Sequence, residues 1–185
     1  MNDALQRCKW ASTNPLLQQY HDHEWGVPVT DGRSLWEALI LETFQAGLSW
    51  LVVLKRREHL RQAFCHFDPH KIAQFNEADI QRLLSDPHII RSRAKIEATI
   101  LNAQAYLKMS EKGEDLNTFL THYIPEPPIL NTSDEMLSQS PLSITISKEL
   151  KKKGFRFVGP VVVYSWLQAV GQIHDHDPLC FRSNI

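Results

Sequence analysis

Asn14-Pro15, Asp68-Pro69 and Asp86-Pro87 each place a capping side chain directly before a proline. Proline has no amide hydrogen and clashes inside a helix, yet it suits the first helical position, where that hydrogen would have no partner. The short polar residue before it caps the exposed amides. Each pair therefore predicts a helix start. Ser34-x-x-Glu37 and Thr132-x-x-Glu135 have capping-box spacing, and Asn76 with Asp79 is a weaker form of the same signal. Apolar residues recur at helical intervals after these starts, as in Ile96, Ile100, Ala103 and Leu107. The pattern predicts helices near 15–24, 35–46, 50–64, 69–75, 77–85, 91–111, 115–123, 133–138, 144–153 and 160–171. Val161-Val162-Val163-Tyr164 has strand propensity, but Pro160 before it and Leu167 and Val170 after it favour a helix. Only 7 of 185 residues are glycine and Asn-Gly is absent, so a hairpin-rich β protein is disfavoured. The expectation is a compact all-α fold with residues 1–185 as a single domain, the segment 125–141 being a loop with one short helix.

Composition narrows the class. Apolar residues at 43% and charged residues at 22% exclude wholesale disorder. A formal charge of −1 argues neither for nor against a nucleic-acid partner, so only local clustering of charge can. Three cysteines make no disulfide framework, which points to a reducing compartment. The stretch from Met1 to Cys8 is polar, without the apolar core of a signal peptide. The longest uncharged run, Phe157 to Ile173, has 17 residues and carries Gly159, Pro160, Ser165, Gln168 and Gln172, which suits a buried helix better than a membrane span. A soluble, cytoplasmic protein is expected, with no membrane partner.

Four constellations could carry chemistry. His21-Asp22-His23-Glu24 and His174-Asp175-His176-Asp177 each offer imidazole and carboxylate, the ligand types of zinc and related metals. Cys8 and Cys180 add two thiols, with Cys180 four residues after His176. A Cys2His2 site is one arrangement; surface histidines and incidental thiols are the other, and spacing alone does not pair the two halves of the chain. Glu42 lies on the apolar stripe of its helix, four before Ala46, where an unpaired carboxylate is expensive. Such a group usually has a buried partner or a function. Trp10, Tyr20, Trp25 and Trp50 fall in the same stretch; aromatic faces around one carboxylate suit a flat cationic ligand, though aromatics also simply fill cores. The segment Lys151-Lys152-Lys153-Gly154-Phe155-Arg156-Phe157-Val158-Gly159-Pro160 reads as a tight helix–hairpin–helix whose second helix would offer amides to an anion such as phosphate. An ordinary helical hairpin with a solvated basic end is the alternative. Lys55, Arg56, Arg57 and Arg61 against Glu58 form a second basic patch.

Several of these blocks resemble one family. Tyr20-His21-Asp22-His23-Glu24-Trp25-Gly26-Val27-Pro28, Gln45-Ala46-Gly47-Leu48-Ser49-Trp50, Val53-Leu54-Lys55-Arg56-Arg57-Glu58, Ile89-Ile90-Arg91 with Lys95-Ile96, and Gly154 to Pro160 are similar, in order, to the signature of the bacterial 3-methyladenine DNA glycosylase I family. The resemblance runs from about Cys8 to Cys180. It implies the helix-hairpin-helix glycosylase fold, with that motif at about 144–171, and one structural zinc that ties the two ends of the chain together. The implied ligands are Cys8, His21, His176 and Cys180. Four protein ligands leave no open position for water activation.

The same resemblance places the base-reading carboxylate at Glu42 and the aromatic pocket at Trp10, Tyr20, Trp25 and Trp50. Leu17 departs from the family, which tends to carry a tyrosine there, and is expected near the pocket. The implied substrate is double-stranded DNA containing alkylated purines. The implied reaction flips the nucleotide out and hydrolyses the N-glycosidic bond of 3-methyladenine. Val162 and Val163 stand where bifunctional relatives carry a lysine nucleophile, so no strand cleavage is expected. Leu48 is the expected duplex-filling side chain, and Lys153, Gly154 and Gly159 the expected phosphate-binding hairpin. Asp175 is the nearest candidate for the aspartate that assists at the sugar in related hairpin glycosylases, a residue this family is described as lacking. The protein is expected to be a monomer. Two other readings stand beside this one: a DNA-binding relative with lost or altered activity, and a hydrolase with a two-metal centre built from both His-Asp-His blocks.

Overall fold

A computed structural model describes residues 5–131 and 137–183. Among them are nine α-helices: α1 (Pro15–His23), α2 (Gly32–Gln45), α3 (Trp50–Ala63), α4 (Pro69–Ile72), α5 (Glu77–Ser85), α6 (Arg93–Glu111), α7 (Leu116–Tyr123), α8 (Pro141–Lys152) and α9 (Pro160–Ala169). Asn14 and Asp68 cap α1 and α4 in front of their prolines, and Asn76 with Asp79 makes a reciprocal capping box on α5. The Val161–Tyr164 run is helical, as its neighbours dictate.

The structure corrects several sequence expectations. Asp86-Pro87 does not start a helix: Asp86 closes α5, its carboxylate takes the His88 amide at 2.9 Å, and Ile89 turns into the core. Ser34 is not the cap of α2. Asp31 is, accepting the Ser34 amide at 2.7 Å, so the helix begins at Gly32. Helix α8 begins three residues before the expected 144 because Ser140 and Ser143 cap each other's amides across Pro141. The all-α expectation also needs amendment. Ile129–Leu130 (β1) pairs in parallel with Ile173–His174 (β2), Ile129 facing Ile173. Thr132 and Glu135, and most of the helix expected at 133–138, lie outside the described residues.

Helix α2 is the axis of the packing. It contacts α3, α6, α7 and α9, and its Leu35, Trp36, Leu39, Ile40 and Phe44 are fully buried. Buried indoles need partners for their N–H groups. Trp36 donates to the Phe67 carbonyl at 2.8 Å, and Trp166 of α9 donates to the Leu35 carbonyl at 3.0 Å. The second bond ties α9 to the front of α2. The far end of α9 is seated on the link between α1 and α2: Gly26 and Val29 donate amides to the Ala169 and Val170 carbonyls at 3.2 and 3.1 Å. Gly171 makes that approach achievable. Its φ is +71°, and a Cβ there would lie 2.7 Å from the Pro28 nitrogen.

A second, smaller apolar cluster gathers Cys8, Leu17, Tyr20, Trp25, Leu54 and Cys180, so residues from near both ends of the chain share one corner. Among the described residues no helix is long and apolar enough to cross a membrane; the long uncharged run is divided among a hairpin loop, α9 and the turn into β2.

Candidate active site and metal centre

Helix α1 delivers His21, β2 leads into His176, and the chain ends bring Cys8 and Cys180. Their ligand atoms all lie within 4.8 Å of one another, and all four residues are buried. His176 Nδ1 is 3.5 Å from Cys8 Sγ and 3.6 Å from Cys180 Sγ, and His21 Nε2 is 3.4 Å from Cys180 Sγ. A tetrahedral zinc with sulfur at about 2.3 Å and nitrogen at about 2.0 Å would set neighbouring S and N atoms roughly 3.5 Å apart. The donor chemistry fits a cation as well. Burial, opposed in part by the Asp177 amide, pushes the Cys8 thiol up to about 12. Burial and the neighbouring His21 hold His176 down at about 3. A neutral imidazole beside a thiol that needs a positive charge in order to ionise belongs to a metal donor set.

The surroundings fix each ligand. His21 Nδ1–H donates to Asp22 at 2.9 Å, leaving Nε2 as the lone-pair nitrogen, and Asp22 is clamped by Arg7 at 2.7 Å. This is the carboxylate–histidine arrangement that orients metal ligands. The amides of Asp177 and Arg182 point at Cys8 and Cys180 sulfurs at 3.2 and 3.4 Å. Gly26 backs the His176 ring; a Cβ there would sit 2.8 Å from Nε2.

The two His-Asp-His blocks do not form a two-metal centre among the described residues. His23 and His174 are outside the ligand group. Asp175 is taken up by Asn131 at 2.7 Å, by Tyr164 at 3.1 Å and by Gln168. Asp177 accepts the Lys9 amide at 2.8 Å.

Beside this corner opens a cavity of about 990 Å³. Trp10, Tyr20, Trp25, Glu42 and Trp50 all line it, together with Gln45, Ser165, Gln168, Asp175 and the segment His176 to Cys180. The sequence-expected pocket residues therefore converge. Ring centroids are 5.1 Å apart for Trp10–Trp25 and for Tyr20–Trp50, and 6.3 Å for Trp10–Tyr20. Trp25 also packs edge-on against His176 at 4.6 Å, so the metal corner forms part of the cavity wall. Leu17 does not line the cavity, contrary to expectation; it is buried in the apolar cluster behind Tyr20.

Glu42 is 5% exposed and has no hydrogen-bond or ion-pair partner among the described residues. Burial alone raises its carboxyl to about 8. Burial and the nearby Glu42 also hold the Tyr20 hydroxyl well above its usual range. The indole N–H of Trp50 is buried and unpartnered. A cavity with aromatic faces, an unpaired acid and an unused donor is built for a flat ligand that brings its own polar groups and positive charge.

A sequence profile of the methyladenine glycosylase family matches residues 10–183. This chain belongs to that family. It is 46% identical over 175 residues to DNA-3-methyladenine glycosylase 1 of Escherichia coli strain K12, covering 93% of this chain and 94% of that one. It is 42% identical over 173 residues to DNA-3-methyladenine glycosylase of Haemophilus influenzae, covering 92% and 94%. Among solved structures, a crystal structure of 3-methyladenine DNA glycosylase I superposes with a TM-score of 0.92 at 46% identity, covering 96% of this chain and 99% of that one. The Staphylococcus aureus enzyme, solved to show how it recognises 3-methyladenine, superposes at 0.90 with 37% identity, covering 96% of each chain.

Within this glycosylase fold, Lys95 is the site residue that sequence reasoning left without a role. Its Nζ, from α6, donates to the Phe44 and Ala46 carbonyls at 2.7 and 2.6 Å, capping the end of α2 next to Glu42 and Gln45. Gln45 then donates to the Leu48 carbonyl at 2.7 Å, which shapes the Gly47–Leu48 turn and leaves Leu48 exposed. A lysine at a helical core position was the available signal.

The hairpin between α8 and α9 is similarly clamped. Asn102 accepts the Arg156 amide at 2.6 Å and donates to its carbonyl at 3.1 Å, and Ser147 donates to the Val158 carbonyl at 2.6 Å. Gly154 follows the end of α8, and Gly159 opens α9. Lys153 is not free at this hairpin: its ammonium pairs with Glu114 at 2.5 Å and lies over the Phe119 ring at 5.4 Å. In the second basic patch, Arg57 pairs with Glu24, and Arg61 with Glu37 and Glu58.

Proposed function

We propose that this chain is a repair enzyme that hydrolyses the N-glycosidic bond of 3-methyladenine in alkylated double-stranded DNA and releases the free base. The observation that carries the reading is Glu42, a buried carboxylate without a partner, set among the aromatic faces of a cavity that fits a purine.

Methylation at N3 gives the purine a positive charge and weakens its bond to C1′. The flipped base enters the cavity and stacks on the Trp and Tyr faces. Its exocyclic amine donates to Glu42. Water is excluded there, so the attraction between carboxylate and cation exceeds its value in solvent. Unmethylated adenine brings no charge and leaves the carboxyl protonated or uncompensated, which is a penalty and a basis for discrimination. The C1′–N9 bond breaks with its electron pair passing to the purine, which becomes neutral. Water adds to C1′ and gives up a proton to solvent.

Cys8, His21, His176 and Cys180 hold one zinc in this reading, and its contribution is structural because four protein ligands close the coordination shell. It joins segments from near both ends of the chain beside the aromatic wall. The α8–α9 segment acts as the helix-hairpin-helix element. Gly154, Gly159 and the amides opening α9 meet a phosphate there, with Lys153 as a second-rank contact because of its pair with Glu114. Leu48 fills the duplex where the base has left. The chain works as one domain, a reading supported by a main core that draws on residues from Leu35 to Ile173, and on the same proposal it acts as a cytoplasmic monomer.

The test is incubation of methylated duplex DNA with the protein and chromatography of the released bases. 3-Methyladenine should appear without strand cleavage. Absence of any released base from a folded, metal-loaded protein would leave only a DNA-binding role.

A further inference from the structure

The loop between the two C-terminal metal ligands carries a side chain that folding does not use. Leu179 is 73% exposed, the highest exposure among the large apolar residues described. An exposed leucine is unremarkable on a mobile surface, but this one stands on a braced segment. His176 and Cys180 bound the loop within the ligand group, the Asp177 amide points at Cys8 Sγ, and the Cys180 amide donates to the Asp177 carbonyl at 2.8 Å. The Phe181 amide donates to Gln6 at 2.8 Å. Asp177, Pro178 and Leu179 all line the 990 Å³ cavity that holds Glu42.

A cation stands on the facing segment, in the short 3-10 turn Lys9–Ala11. Lys9, next to the ligand Cys8, lines the same cavity, is exposed, and has no ion-pair partner among the described residues. The other charges at this rim are engaged. Arg7 is paired with Asp22, and the Asp177 carboxylate accepts the Lys9 backbone amide. An unpaired ammonium beside a rigidly held apolar side chain matches the two faces of a nucleotide, phosphate and sugar or base edge.

We infer that Lys9 and Leu179, carried by the two metal-bound segments, form a second DNA-contacting lip of the cavity, with Lys9 on a phosphate and Leu179 against an apolar nucleotide face next to the flipped base. The inference rests on the reading of the cavity as a base pocket. It gives the metal corner a task beyond joining the ends: it holds this lip in place without substrate. Phosphate contacts of this kind add affinity without sequence preference, and an apolar side chain against an unstacked nucleotide supports the distorted duplex.

The experiment compares wild type with Lys9→Gln, Leu179→Ala and the double variant in three assays. These are affinity for a duplex containing a tetrahydrofuran abasic analogue, affinity for free 3-methyladenine by tryptophan fluorescence, and zinc content. Each single variant should weaken duplex affinity by about 3- to 10-fold, with the Lys9→Gln defect shrinking as salt rises. Free-base affinity and zinc content should hold. Leu179→Met should restore most of the duplex affinity. Unchanged duplex affinity in the double variant overturns the inference. So does a parallel fall in free-base affinity or zinc, since that would make the lip a support of the site and not a contact. Wild type that binds the abasic duplex but releases no base would remove the proposed activity while leaving the lip intact.

Discussion

The metal corner and the cavity share a wall, yet they treat their acids in opposite ways. Around the four ligands His21 is matched with Asp22, Asp22 with Arg7, and both sulfurs with amides, while His176 Nε2 and Arg182 Nε are buried without a partner. In the cavity Glu42 has no partner and Trp50 keeps an unused N–H. Buried polar groups are normally paired because an unpaired one costs about 1–3 kcal/mol. In the corner the unpaired atoms belong to side chains engaged through another nitrogen, whereas Glu42 is a whole acid without a partner beside a cavity, which marks the region waiting for a ligand. On the reading proposed above, the corner holds shape and the cavity holds specificity.

The comparison can be broken most forcefully from the metal side. Cys180→Ala, or prolonged chelation, should remove the metal and lower the thermal midpoint by about 10 °C or more, the size expected when several kcal/mol are lost from a domain of this length. Thermal scans paired with metal analysis read this; an unchanged midpoint would show that the corner holds together without an ion. Asp22→Asn should act more gently, weakening zinc retention by about 10- to 100-fold in a chelator competition while base release by the loaded protein stays near wild type.

From the cavity side, Glu42→Gln should stabilise the protein in a pH-dependent way. The folded state holds the Glu42 proton up to about 8, against 4.5 for an ordinary glutamate, so it binds more protons than the unfolded chain between those values. Wild-type stability therefore loses up to about 1.4 kcal/mol per pH unit from this group as pH rises through that window, and nothing further above it. The midpoint of Glu42→Gln minus that of wild type should be near zero at pH 4.5 and grow toward pH 8. A difference that is flat with pH would mean Glu42 has a partner. The smallest effect belongs to Lys153→Gln, which should reduce affinity for damaged and undamaged duplex alike by about threefold or less, because that ammonium already belongs to Glu114.

Much of this is legible in the sequence, for identifiable reasons. Asn14-Pro15 and Asp68-Pro69 marked helices because cap chemistry is local. Asp86-Pro87 carried the same signal and misled, since burial of Ile89 decided that segment and burial is not local. Glu42 was conspicuous as an acid on an apolar stripe, but its lack of a partner is a property of three dimensions. The pairing of Cys8 and His21 with His176 and Cys180 came through family resemblance; spacing alone left it open. The Lys95 cap on α2 and the Asn102 clamp on the hairpin join residues about fifty positions apart, and no periodicity announces them. Leu17 was expected near the pocket from its place one turn before Tyr20; the turn of α1 instead buries it behind the aromatic wall.

On the proposed reading the unpaired carboxylate at Glu42 reads the charge of the methylated base, and single-turnover release of 3-methyladenine from methylated duplex DNA measures whether it does. Glu42→Gln keeps the shape and one acceptor but removes the charge, and a hydrogen bond to a charged partner is worth roughly 1.5–3 kcal/mol. The variant's release rate should fall about one to two decades below wild type, with unchanged zinc content and unchanged affinity for undamaged duplex. Equal rates for the two proteins, measured on folded and metal-loaded samples, would contradict it and leave aromatic stacking as the sole means of recognition.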